Sequence, residues 1–195
     1  FVNKLKNYKN KILFAPSVIS KINYRPTSQT MVEQTLLLLE KYVSLNNDTL
    51  IIIKEKKGEL KYINDKCKKL ISNNENFFII NSDKPKNLVF NQFEEIVPEV
   101  DLLITLTSTS TTILQSLDMN VPFICVNNDH PLSFYKKYYN CEVPLSNLFN
   151  TIKYWISLER YDRIKKIDII KSDLNIKDEN GLIEVSKYFK RAINE

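Results

Sequence analysis

Residues 101–126 read DLLITLTSTSTTILQSLDMNVPFICV. Leu102, Leu103, Ile104 and Leu106 are apolar and Thr105 is the one polar interruption, the pattern of a parallel strand covered on both faces. Residues 107–112 are six consecutive Ser and Thr, placed where a helix begins. A helix start attracts anions, because its first N–H groups are unpaired and its dipole is positive there. The helix carries Ile113, Leu114 and Leu117 inward and ends near Asn120; Val121 and Pro122 open the next strand. Strand, polar loop, helix and strand in this order are how open α/β sheets build phosphate sites. Ser and Thr are also the commonest helix caps, and a helix needs only one. The same run therefore also suits a capped helix with a solvated loop before it.

Working outward, the first strand falls at residues 11–16 (KILFAP), followed by a polar loop at 17–29. Residues 30–45 form an amphipathic helix with Val32, Leu36, Leu39 and Val43 inward. A second strand is expected at 49–53 and a helix at 59–72, with Leu60, Ile63, Cys67, Leu70 and Ile71 inward. A short strand follows at 77–80, then a helix at 87–97 closed by Pro98. Strands at 101–106 and 122–126 complete the set. Residues 127–144 are less regular, 146–158 and 180–193 read as helices, and 160–174 is amphipathic without a clear assignment.

Strands alternating with helices give an α/β, Rossmann-like three-layer sandwich around a mainly parallel five- or six-stranded sheet. The expected strand order is 3-2-1-4-5. Winding then reverses between strands one and four, and ligands bind outside the carboxyl ends of the strands at such a reversal. The loops at 17–29 and 107–112 leave those two ends. Topology and chemistry point at one crevice, with Ser17, Arg25 and the Ser/Thr run as candidate contacts.

The 195 residues suit one domain with one substantial core. Only Gly58 and Gly181 occur, which excludes a glycine-rich phosphate loop. The net charge is +5, but the lysines are scattered and mixed with acids, which argues against nucleic acid as a partner. Cys67, Cys125 and Cys141 are widely spaced and His130 is the single histidine, a set that fits neither a zinc site nor a disulfide framework. No cofactor is implied. Reducing cytoplasm is the expected compartment, and the start at Phe1 suggests a piece of a longer protein. His130, beside Asp129 and Pro131, reads as a loop residue before it reads as a base, and Asp101 as a turn or cap residue before a catalyst.

Residues 101–124 (DLLITLTSTSTTILQSLDMNVPFI) resemble the C-terminal domain of GT-B-fold glycosyltransferases, particularly bacterial enzymes of capsule and surface-polysaccharide synthesis. In that family an acidic strand start runs into a Ser/Ser/Thr turn, a helix, and a Gly-Lys-Pro-like step into the next strand. The likeness extends loosely over residues 11–128. It implies that Ser108, Thr109, Ser110, Thr111 and Thr112 meet the diphosphate of a nucleotide-sugar donor. Gln115 falls where the family often has a ribose-binding Glu, and Asn120 replaces a common Gly. The Lys-Pro-His-Pro-like segment that often ends the second strand is here Lys54-Glu55-Lys56-Lys57. The resemblance implies that residues 1–195 are the single donor-binding domain of a two-domain protein, that an N-terminal acceptor domain supplies the base, and that the full protein works at the inner face of a membrane. A nucleotide-sugar epimerase half and a non-catalytic Rossmann-like interaction domain share the same fold.

Overall fold

A computed structural model describes residues 2–16, 29–55, 59–80, 93–108, 110–127 and 135–176. The elements are α1 (Val2–Lys6), β1 (Asn10–Ala15), α2 (Gln29–Leu45), β2 (Thr49–Lys54), α3 (Asp65–Asn73), β3 (Phe77–Ile80), α4 (Phe93–Ile96), β4 (Leu102–Thr105), α5 (Thr111–Asp118), β5 (Phe123–Asn127), β6 (Glu142–Pro144), α6 (Leu148–Ser157) and α7 (Arg160–Asp173). The sheet has six strands in the order β3-β2-β1-β4-β5-β6, and each pairing is parallel. This is the expected Rossmann-like sandwich, with β6 added beyond the expected order.

Strand composition explains the layering. Leu50 to Ile53 and Leu102 to Ile104 are fully buried, as apolar strands with helices on both faces require. Right-handed crossovers that run one way from β1 and the other way from β4 put their helices on opposite faces. Accordingly α2 packs with α3 and α6, and α5 packs with α7. Val32, Leu36, Leu39 and Val43 are the buried stripe of α2, together with Thr35 and Tyr42. Tyr42 meets Phe149 of α6 edge to face at 5.5 Å. Trp155 is buried and donates from Nε1 to the Asn140 carbonyl at 2.8 Å, tying α6 to the turn before β6.

Two expected helices differ. The one at 59–72 is a 3-10 turn (Glu59–Tyr62) followed by α3, because Asn64 adopts an extended conformation and its side chain caps Cys67 N–H at 2.9 Å. Of the helix expected at 87–97, the described part is the single turn Phe93–Ile96, which runs on as a 3-10 turn (Val97–Glu99) through Pro98. Residues 87–92 and the helix expected at 180–193 lie outside the described residues.

Helix ends compensate for the scarcity of glycine. After α5, Asn120 takes φ 56°, and Val121 N–H and Asn120 N–H donate to the carbonyls of Ser116 and Leu117. After α7, Asn175 takes φ 54°, with Ile176 and Asn175 donating to Lys171 and Ser172. Both are left-handed terminations usually given to glycine, and asparagine is the side chain that tolerates them best. Asn120 therefore does the conformational work of the glycine it replaces.

Candidate functional site

The register places one row of residues across the whole sheet. Ile80 pairs with Lys54, Ala15 with Thr105, Thr105 with Cys125, and Cys125 with Glu142. β1 and β2 are in register up to Phe14 and Ile53, so Ala15 stands level with Lys54. Residues level in a parallel sheet share a face. The row lies at the carboxyl ends of the strands, and Ala15 and Thr105 mark the reversal of winding. The chain thus leaves β1 and β4 side by side at the same end of the sheet. That is the juxtaposition expected for the crevice, although Ser17 and Arg25 lie outside the described residues.

The start of α5 is the best-defined part of this end. Ser110 is its N-cap, with φ −73° and ψ 126°. Its Oγ accepts Thr112 N–H at 3.3 Å and lies 2.5 Å from Thr112 Oγ1, and its carbonyl accepts Ile113 N–H at 3.1 Å. The cap therefore uses two of the first-turn donors. Thr111 N–H has no acceptor among the described residues, and the Thr111 side chain is exposed. The two linked hydroxyls share one bond, which leaves one hydroxyl hydrogen for an outside acceptor. Ser108 is buried, Gln115 is half-buried one turn along from Thr111, and Thr109 lies outside the described residues. Free donors at this helix start are fewer than a bare helix end would offer, because its own cap takes part of them.

The row holds features that the sequence barely signals. Thr105 is fully buried, and its hydroxyl has no hydrogen-bond partner. Its sequence signal was the single polar residue in an apolar strand. Lys54 is half-buried at the end of β2, and burial lowers its pKa. Glu55 is buried behind it and accepts Leu60 N–H at 2.7 Å. Glu142 is buried at the start of β6 and accepts Tyr135 N–H at 3.0 Å. Cys125 beside it is a core residue whose thiol is raised far above its usual range, by burial and then by Glu142.

Asp101 lies at the opposite end of β4, where it binds Lys11 N–H and Arg163. That is a structural role, as its reading as a turn or cap residue anticipated. His130 lies outside the described residues. Among the described residues, no group of His, Cys, Asp and Glu could hold a metal ion, and no helix is long and apolar enough to cross a membrane.

No family model and no curated protein sequence matches this chain. Solved structures do. UDP-GlcNAc 2-epimerase from Neisseria meningitidis, bound to UDP-GlcNAc, is similar with a TM-score of 0.59 and 12% identity, over 96% of this chain and 45% of that one. The likeness is one of fold. The C-terminal domain of a glycosyl transferase group 1 family protein from Francisella tularensis gives 0.55 at 11% identity, over 96% of this chain and 91% of that one. The N-terminal domain of trehalose-6-phosphate phosphatase from Candida albicans gives 0.62 at 12% identity, over 98% and 44%. This chain spans less than half the length of the epimerase and the phosphatase domain, and most of the excised transferase domain. These likenesses support a GT-B-type domain fold.

Proposed function

We propose that this chain is the donor-binding half of a glycosyltransferase that moves a sugar from a nucleotide sugar during surface-polysaccharide or glycan synthesis. The observation that carries the reading is the position of the Ser110-capped start of α5 beside the end of β1, at the reversal of winding. Thr111 N–H, the Ser110–Thr112 hydroxyl pair, Ser108 and Thr109 would face the donor diphosphate, and Gln115 its ribose. Ser17 and Arg25, on the loop after β1, would close the other side. Fixed donors of this kind stabilise charge that develops on the leaving diphosphate, which is this half's contribution to rate. The acceptor and the catalytic base would come from a second, N-terminal domain of the full protein, which would act in the cytoplasm on capsule-type acceptors.

A second reading is half of a nucleotide-sugar epimerase, favoured by the likeness to an epimerase solved with UDP-GlcNAc. Calorimetric titration with UDP, paired with a sugar-transfer assay of the 195-residue chain, tests the proposal. Binding without turnover is expected, and His130→Ala should bind as the parent does. Absence of any nucleotide binding, or robust transfer by this chain alone, would contradict it.

A further inference from the structure

The charge of this chain is concentrated in space although its lysines are spread along the sequence. Residues 54–69 (KEKKGELKYINDKCKK) hold seven lysines against three carboxylates, which is +4 of the net +5. The carboxylates dilute this little. Glu55 is buried and bonded to Leu60 N–H. Asp65 is held by Lys68 at 3.4 Å.

The fold displays what remains. α3 is anchored through Cys67 and Ile71, so Lys66, Lys68 and Lys69 stand on its outer face, exposed. Lys66 and Lys69, three apart, are neighbours there. Lys61 is exposed just before the helix, with Nζ 4.8 Å from the centre of the Tyr62 ring, and Tyr62 is 41% exposed. The 3-10 turn and the start of α3 follow directly on the carboxyl end of β2, so this basic rim borders the end of the sheet where the crevice lies. Glu33, the nearest carboxylate on α2, is occupied by Asn64 N–H and Gln29 at 2.7 Å each.

We infer that this rim, centred on Lys61, Lys66 and Lys69 with Tyr62 among them, docks the protein on an anionic phospholipid surface. The partner follows from the type of cation. The segment contains no arginine, so the forked, two-point recognition of bases and single phosphates is missing. One aromatic ring gives no ladder on which successive bases could stack. Flexible lysines gathered on one helix face suit a diffuse sheet of negative headgroups, and an amphipathic tyrosine suits the headgroup layer. The inference is independent of what the crevice binds.

The test is vesicle co-sedimentation of the 195-residue chain. Phosphatidylcholine vesicles are used with and without about one third phosphatidylglycerol, a stand-in for an anionic leaflet. Binding is expected with phosphatidylglycerol alone and should fade as salt is raised. The variant Lys61→Gln/Lys66→Gln/Lys69→Gln should bind about tenfold more weakly or worse. Lys41→Gln/Lys136→Gln/Lys165→Gln removes the same charge from exposed positions elsewhere and should bind nearly as the parent does. The circular dichroism of both variants should match the parent. Three results would overturn the inference: no binding to phosphatidylglycerol vesicles, equal loss in the two variants, or tighter and rim-dependent binding to a single-stranded oligonucleotide at the same salt.

Discussion

Arg163 on α7 reaches across to Asp101 at the start of β4: its Nη1 donates to the carboxylate Oδ1 and to the main-chain carbonyl, each at 3.2 Å.. The same carboxylate accepts Lys11 N–H from β1 through Oδ2 at 2.9 Å, and Arg163 Nε donates to the Leu158 carbonyl. One ion pair thus joins the two central strands to the last described helix, at the end of the sheet away from the crevice. Both side chains are mostly buried.

Asp101→Ala leaves Lys11 N–H and the guanidinium short of an acceptor. The loss should be roughly 1–3 kcal/mol, read from urea unfolding at neutral pH. UDP binding by the folded variant should stay as in the parent, because the pair is remote from α5. A loss of binding without a loss of stability would place Asp101 in the site instead.

Asn120→Gly should stabilise the protein by a few tenths to about 1 kcal/mol, since glycine takes positive φ at little steric cost. Asn120→Ala should destabilise it by a similar amount. Thermal melts of the two variants check this. A shift in the same direction for both would remove the left-handed cap as the cause.

Glu33 titrates below its ordinary 4.5: burial on its own would raise it, but donations from Gln29 and from the backbone and side chain of Asn64 outweigh that. A carboxylate lowered on folding stabilises the fold above its unfolded pKa. That contribution fades as pH falls through the folded value. The stability gap between the parent and Glu33→Gln should therefore be level at neutral pH and close in acid, somewhat below pH 4.5. A gap independent of pH down to that range would contradict the tie between α2 and α3.

The three cysteines should be silent in the folded protein. Cys67, Cys125 and Cys141 are buried, and burial raises each thiol, Cys141 to about 12. Thiolate is the reactive form, so labelling by Ellman's reagent should wait for unfolding. Fast labelling of any one under native conditions would show that its segment opens.

Much of the sheet was legible because its strands are runs of apolar residues set between helical periods. Residues 77–80 match β3 at both ends, and the order from β3 to β5 follows from right-handed crossovers alone. β6 was not legible: three residues, EVP, are too short for a period, and its first is a carboxylate. α1, with five mostly polar residues, gave no stripe to read. The break before α3 depends on one capping asparagine, which a stripe of apolar residues running through it conceals. In the site, the Ser/Thr run was visible, but how its hydroxyls are shared was not: Ser110 and Thr112 bond each other, a matter of rotamers. The level row from Lys54 to Glu142 depends on register, which no single strand encodes.

The account rests on the start of α5 as a phosphate site, and one calorimetric comparison bears on it most directly. The parent and the variant Ser108→Ala/Thr109→Ala/Ser110→Ala are titrated with UDP. Charge-assisted bonds contribute roughly 1.5–3 kcal/mol each, so the variant should bind about tenfold more weakly or worse. Ser110 also caps α5, so Asn64→Ala, which removes the cap of α3, serves as the control for lost stability and should bind like the parent. Equal UDP affinity in the parent and the triple variant would contradict the assignment.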